Sequence, residues 1–442
     1  MSSIGYQIAS DIGRQVKGYA SATSVDVGQP ITLFASVQPA QPLKIDIYRL
    51  GWYGGRGGRL MRAGNWLPGM SQPDCPIDRL TGLRICHWLP SLQLTVPTDW
   101  VSGIYLAVLT NSNRFQNAVP FVVRADSSTS SIIYVQPVTT YQAYNYWPIG
   151  AGGRSLYGGP RSVEVSFDRP YYGSGVGRSF FDFEEPFVAW LERAGYDVTY
   201  ATSVDLDLQG AALLERHRVM VVAGHDEYWT AGMRAAATTA RDHGVSLAFF
   251  SANNIYWQAR LNPASDGRPD RILVCYRNAA LDPQPSLALK TVRWRDPPVN
   301  QPEDSLLGAQ YSNQVAVRAN WVVADAGSWV YRGTGLSNGD RIRGLVFGES
   351  DRVVSPQSAA GSAPALSILS DSPYLTRHRT IDHSQAVVYQ AGSGAWIFDA
   401  ATFAWAGALN PFGGADPRVD RMTRNLLDRM TAPFGSARPS PR

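Results

Sequence analysis

The sequence predicts an N-terminal all-β domain followed by an α/β domain built on a doubly wound parallel sheet. Three observations carry this expectation. Short apolar runs with period-two alternation recur between Ser24 and Arg124. Beyond Ile132, β-branched runs that read as strands buried on both faces alternate with amphipathic segments at short spacing. Between the two regions lies the polar stretch Ala125-Asp126-Ser127-Ser128-Thr129-Ser130, a natural boundary. A chain of 442 residues is too long for one ordinary core, so the expected division is 1–125, 131–434 and a Pro/Ser-rich tail, 435–442, predicted disordered.

In the first region Ile31, Leu33, Ala35 and Val37 alternate with Thr32, Phe34 and Ser36, and Ile45 to Leu50 follows a Pro-containing turn. Leu92 to Val96, Gly103 to Leu109 and Val119 to Val123 continue the series, which suits a β-sandwich of immunoglobulin-like size. In the second region Ile132 to Gln136 is the first strand. Phe183, Phe187, Val188 and Leu191 recur at helical spacing, Pro186 fits a first turn, and Gly195 closes the helix before the strand at Tyr196 to Tyr200. Arg218 to Ala223 is the next strand, Thr230 can cap a helix running from Met233 to Asp242, and Gly244 ends it before the strand Val245 to Phe250. This alternation points to a doubly wound sheet of the amidotransferase or flavodoxin-like kind. The Pro-, Asn- and Gly-dense part from Leu281 to Gly339 reads as an irregular excursion. Arg343 to Phe347 reads as a strand ending in Gly348-Glu349-Ser350-Asp351, Ala386 to Tyr389 and Ala395 to Phe398 as a late hairpin, and Arg418 to Met430 as a C-terminal helix.

Composition excludes several classes of function. Aromatics at 11% and charged residues at 17% describe a well-buried chain, and a net charge of +4 with scattered Lys and Arg gives no footprint for nucleic acid. No apolar stretch reaches membrane-spanning length and no charged-then-apolar leader follows Met1, so a soluble protein is expected, its compartment left open with the cytoplasm favoured. Cys75 and Cys86 bracket a Pro- and Gly-containing loop and could be bridged in an oxidising compartment, whereas Cys275, on an apolar run, reads as a buried thiol. There is no phosphate loop, dinucleotide fingerprint, HExxH pair, CxxC pair or G-x-S-x-G elbow.

What remains is a set of polar residues at strand ends. Gly224-His225-Asp226-Glu227-Tyr228-Trp229 follows one strand, Ser251-Ala252-Asn253-Asn254 the next, and Tyr141, Tyr144 and Tyr146 lie beyond the first. Parallel strands would bring these ends to one rim. A carboxylate beside a buried strand is costly unless it is paired or metal-bound, so Glu227 reads as functional, while each tyrosine taken singly also suits loop packing. Carboxylate and phenolate oxygens are hard donors that fit ferric iron better than zinc.

At these residues the chain resembles a known family. Ile47-Tyr48-Arg49-Leu50-Gly51-Trp52-Tyr53-Gly54-Gly55, Gln142-Ala143-Tyr144-Asn145, Gly224-His225-Asp226-Glu227-Tyr228-Trp229 and Ser251-Ala252-Asn253-Asn254 are similar to the large-subunit family of N,N-dimethylformamidase, an amide hydrolase. The resemblance implies a mononuclear iron held by two tyrosines and one glutamate. Carried over, Glu227 is the glutamate, Tyr105 of Ser102-Gly103-Ile104-Tyr105 is one tyrosine, and Tyr144 or Tyr146 is the other. His225 and Asn253 take orienting roles and Glu349 that of the carboxylate that activates water. The run Asn145-Tyr146-Trp147-Pro148-Ile149-Gly150-Ala151-Gly152-Gly153 departs from the family pattern by an insertion beside the tyrosine. The implied partner is a small-molecule amide, with a homo-oligomer as a further expectation; the family enzyme works with a small partner subunit, of which this sequence gives no sign. The competing reading is a non-catalytic or carbohydrate-binding protein whose tryptophans, thirteen in the chain, stack on sugars.

Overall fold

The computed structural model describes residues 7–177, 180–354 and 366–432, so the tail expected from 435 to 442 lies outside the described residues. The molecule is a mixed fold richer in strand than in helix. In the N-terminal region Val16–Ala20, Pro30–Val37 and Leu92–Thr95 form one antiparallel sheet. Leu43–Leu50, Gly103–Asn111 and Phe115–Arg124 form the centre of a second. Residues from both sheets share one core: Ile31, Leu33, Ala35 and Val37 from the first meet Ile45, Ile47, Ala107, Leu109 and Phe121 from the second.

Every residue of Gly103–Asn111 is buried, and pleating explains why. Tyr105, Ala107 and Leu109 point into the core between the sheets, whereas Ile104, Leu106 and Val108 point the other way, into a cluster shared with Tyr134, Phe187 and Tyr200 of the α/β region. The β region is thus a layer laid against the α/β region. Arg49 ties the two together: its guanidinium reaches Glu192 at 2.6 Å, the Ser102 carbonyl at 2.8 Å and the Tyr53 hydroxyl at 2.8 Å. The Ile47 to Gly55 motif is therefore a joint between the β region and the α/β region.

Tyr105 is not brought to the α/β site and is corrected as an iron ligand. Its ring stacks between Trp100, at 4.9 Å, and Phe121, at 5.7 Å, and its hydroxyl donates to the Val101 carbonyl at 2.7 Å. A tyrosine two residues after a strand-opening glycine, bonded back to the preceding corner, is a tyrosine corner. The phenol anchors the turn that enters the strand.

In the α/β region the sheet runs Val198–Thr202, Ile132–Gln136, Val219–Ala223, Ser246–Phe250, Trp396–Asp399, all parallel, with Val387–Gln390 and Ser367–Ile368 added antiparallel at the edge. Alternate residues face opposite layers. Tyr134, Val221, Ala248 and Phe250 pack with Phe187 and Leu191 of helix Glu185–Ala194 and with Met422 and Leu426 of helix Pro417–Thr431. Val135, Met220, Val222 and Phe249 pack with Leu206, Leu214 and Met233 of the helices on the other side. The expected caps are present: Thr230 accepts from the Met233 N–H at 3.0 Å, and Gly195 closes its helix at a φ of 83°.

Two expectations change. The part from Leu281 to Gly339 contains helix Asp304–Leu307 and strands Gln310–Gln314 and Ala319–Val322. These strands pair with Glu349–Arg352 and Arg341–Val346, so the strand expected at Arg343 belongs to a small antiparallel sheet, and Gly348, at a φ of 81°, turns the chain into a further strand that carries Glu349. Cys75 and Cys86 form a disulfide, a bond of oxidising compartments that gives the cytoplasmic expectation no support, while Cys275 is buried with its thiol pushed up to about 12 by burial. Among the described residues no helix is long and apolar enough to cross a membrane.

Replacing Tyr105 by Phe removes the corner hydrogen bond and keeps the stacked ring. The variant should lose about 1 kcal/mol of unfolding free energy in denaturant titrations and keep the metal content of the parent.

Candidate active site

The sheet order locates the site. Ile132–Gln136 lies between Val198–Thr202 and Val219–Ala223, so the chain leaves the first strand towards one side and later returns on the other. Connections diverge at such a reversal and leave a crevice beyond the carboxyl ends of the strands. After Gln136 the short helix Val138–Ala143 ends at Tyr144. After Ala223 the chain turns at Gly224, where φ is 81° and a side chain would meet Glu184 at 2.8 Å, so only glycine suits the turn. The two loops are stitched together: Thr140 Oγ1 accepts from the N–H of Glu227 at 2.9 Å and of Tyr228 at 3.2 Å, and Thr139 Oγ1 donates to the Tyr228 carbonyl at 2.8 Å.

Tyr144, His225, Glu227, Asn253 and Glu349 meet in this crevice. The Tyr144 hydroxyl donates to Glu227 Oε2 at 2.6 Å. His225 Nε2 lies between two carboxylates, 3.4 Å from Glu227 Oε2 and 3.2 Å from Glu349 Oε2. Asn253 Nδ2 donates to Glu349 Oε2 at 2.7 Å, and Gln314 Nε2 donates to Glu349 Oε1 at 3.1 Å. Asn253 itself stands at a φ of 53°, a left-handed conformation that asparagine tolerates better than most non-glycine residues and that its surroundings hold here. Asp351 supplies the hold, accepting the Asn253 N–H at 2.7 Å. Glu349 and Asp351 are alternate residues of one strand, so one strand face grips both ends of Asn253.

The cluster is charged unequally. Burial opposes ionisation of Glu349, but His225, Asn253 and Gln314 outweigh it and hold the carboxyl below its usual range. Burial likewise opposes charging of His225, and Glu349 and Glu227 outweigh it, raising the imidazole above its ordinary value. Burial raises Glu227 and, with Glu227 beside it, lifts the Tyr144 phenol far above 10, so without a cation the proton between them stays on the phenol. Beneath the site burial lifts Asp226 to about 7 and Glu184 to about 8, and Asp351 is raised by burial and by Asp399 next to it.

A cavity of about 630 Å³ opens onto this cluster, lined by Tyr144, His225 and Glu349, by the aromatic rings of Tyr157, Phe183, Phe347 and Phe403, and by Asp182, Gln314 and Arg377. Tyr157 stacks on Tyr144 at 4.6 Å, and Phe403 lies 4.7 Å from the His225 ring. The Tyr146 phenol packs against Gly158. Of the oxygens expected at an iron, Tyr144 and Glu227 converge, and Tyr105 does not. Among the described residues no group of three or more His, Cys, Asp or Glu side chains has metal-binding geometry. The oxygens that do converge fit a hard cation, which would take the place of the phenolic proton.

The model of the N,N-dimethylformamidase beta subunit-like C-terminal family matches residues 44–420. The chain belongs to this family. It is 24% identical over 220 residues to the N,N-dimethylformamidase beta subunit of Alcaligenes sp, a match covering 40% of this chain and 29% of that protein. The beta subunit from Paracoccus aminophilus matches to the same extent, 24% identity with 40% and 29% covered. The chain thus aligns with less than a third of the length of these relatives. Among solved structures, Pseudomonas fluorescens alkylpurine DNA glycosylase AlkC has a TM-score of 0.16 at 16% identity, over 26% of this chain and 32% of that one, and carries no argument about fold or function.

Within the family match, sequence reasoning missed Gln314, Asp351 as the support of Asn253, and Tyr157. The Asp351 signal was its spacing of two from Glu349; Gln314 and Tyr157 have no local signature.

Glu184 yields a stability test. Its folded value of about 8 lies above the value of an unfolded glutamate, so the native state keeps a proton the unfolded chain has released. The associated stability is fully present below about pH 4 and is lost as pH rises towards 8. Glu184→Gln should be close to neutral at pH 4 and stabilising by about 2 kcal/mol or more at pH 8, read as a thermal midpoint that falls less with pH than that of the parent.

Proposed function

We propose that the chain hydrolyses the C–N bond of an amide in the crevice at the sheet reversal. The observation that carries this reading is His225 Nε2 held between the carboxylates of Glu227 and Glu349 at the cavity floor. Environments that push two groups' proton affinities apart provide an acid and a base at one pH. Glu349, held anionic, takes a proton from water as the water oxygen bonds to the amide carbon. Asn253 and Gln314 keep both carboxylate oxygens in place during that transfer. As the tetrahedral species collapses and the C–N bond breaks, His225, held protonated, delivers a proton to the departing nitrogen. Tyr144 and Glu227 would hold the iron, and a bound ferric ion polarises a carbonyl and lowers the proton affinity of water. The strand order, numbering the parallel strands along the chain as 2-1-3-4-5, supports a flavodoxin-like reading of this domain, and the tyrosine corner supports an immunoglobulin-like reading of the β region. The named relatives are beta subunits, so assembly with another subunit or with further copies of this chain belongs to the same proposal.

Metal analysis and a panel of small amides test this reading. The purified protein should carry iron and show a tyrosinate-to-iron absorption band in the visible, which Tyr144→Phe should abolish. Glu349→Gln should lower kcat on the order of a hundredfold with metal content unchanged. An unaltered rate would remove Glu349 as the base, and full amidase activity in a colourless, iron-free protein would remove the metal.

The pH profile is a separate check. The rate should fall on the acid side only below the ordinary glutamate value of 4.5, as Glu349 gains a proton, and on the alkaline side only above the ordinary histidine value of 6.5, as His225 loses one.

A further inference from the structure

We infer that the amide taken by this site carries a carboxylate, and that Arg377 binds it; the inference rests on the amidase reading and names its substrate class. Three observations lead to it. The first is size: about 630 Å³ is several times what a two- or three-carbon amide fills and lies in the range of pockets that enclose much larger ligands. The second is the wall. Phe183, Phe347 and Phe403 line it, offering an apolar surface that a fully hydrated small amide does not use.

The third is an unused cation. Arg377 lines the cavity, and among the described residues its guanidinium has no ion pair or hydrogen bond, in contrast to Arg352 with Asp382 at 2.8 Å, Arg418 with Asp416 at 2.7 Å and Arg424 with Asp420 at 2.9 Å. It is tied to the chemistry through one residue: its backbone N–H donates to the Gln314 carbonyl at 3.2 Å, and the Gln314 side chain holds Glu349 at 3.1 Å. The turn that carries it, between strands Ser372–Leu375 and Ile381–Ser384, presents Arg377, His378 and Arg379 in succession, all exposed. The guanidinium charge of Arg377 at the cavity, with that of Arg379 two residues on, draws anions in. At the floor, Glu349 and Glu227 repel them. A substrate with a carboxylate therefore settles in one orientation, with its anionic end at Arg377 and its amide at His225 and Glu349. An apolar acyl or aryl group on the carbonyl side of the amide fits against the phenylalanines. Guanidinium and carboxylate match as a bidentate pair.

The test compares N-benzoylglycine with N-ethylbenzamide, which share the ring and the amide and differ in the carboxylate. With the full chain, KM should be at least about tenfold lower for N-benzoylglycine, the size expected of a charged hydrogen bond. Arg377→Gln should bring the two substrates level by raising KM for N-benzoylglycine, while Arg379→Gln should keep the preference. Equal KM values in the parent, or a preference untouched by Arg377→Gln, would overturn the carboxylate assignment and leave the amidase reading standing. Should neither compound be hydrolysed, calorimetric titration separates the two ideas. Binding of N-benzoylglycine that disappears in Arg377→Gln sustains the anion site and removes the amidase reading, and no binding to the parent overturns the anion site.

Discussion

The site depends on one imidazole placed between two buried carboxylates. Glu227 and Glu349 are buried and would repel each other, and burial opposes the ionisation of both. His225 Nε2, within 3.4 Å of one and 3.2 Å of the other, relieves that repulsion and in return is held charged. The charge is distributed asymmetrically because the partners differ. Glu349 also accepts from Asn253 and Gln314 and is held below its usual range, whereas at Glu227 burial outweighs the His225 charge and the Tyr144 hydrogen bond and raises the carboxyl. Remove the imidazole and both carboxylates become uncompensated buried groups.

The scaffold exists to hold these groups at fixed separations. Thr139 and Thr140 lock the loop after the first central strand onto the loop after its neighbour, which sets Tyr144 against Glu227. Asp351 holds Asn253 in its left-handed conformation and so aims its amide at Glu349. The β region adds a rigid backing. Its central strand buries one face in its own core and the other against the α/β domain, with Arg49 and Glu192 pinning the joint and Tyr105 anchoring the corner from which that strand starts.

Much of this was legible in the residues. The strands Ile132–Gln136, Val219–Ala223 and Ser246–Phe250 announce themselves as β-branched runs, and the polar groups just beyond them, His225, Glu227 and Asn253, come together as parallel strands require. Caps at Thr230 and Gly195 follow from local hydrogen bonding and backbone geometry. Tyr105 went the other way. A buried tyrosine after a glycine suits both a ligand and a corner, and only the packing of Trp100 and Phe121 around it separates the two. Tyr146 is as close in sequence as Tyr144, but the turn after the short helix points it to Gly158.

The sequence by itself determined the class of elements, their order along most of the chain and the chemistry available at three strand ends, since periodicity, caps and turn residues act over a few neighbouring positions. The tertiary structure decided which of those ends share a crevice. Glu349 reaches Asn253 from ninety-six residues further on, and Gln314 and Arg377 arrive on antiparallel strands and a hairpin turn whose pairing no local pattern encodes. Long-range register is set by the packing of whole layers, and the proton affinities of His225, Glu227 and Glu349 follow from separations that exist only once those layers have closed.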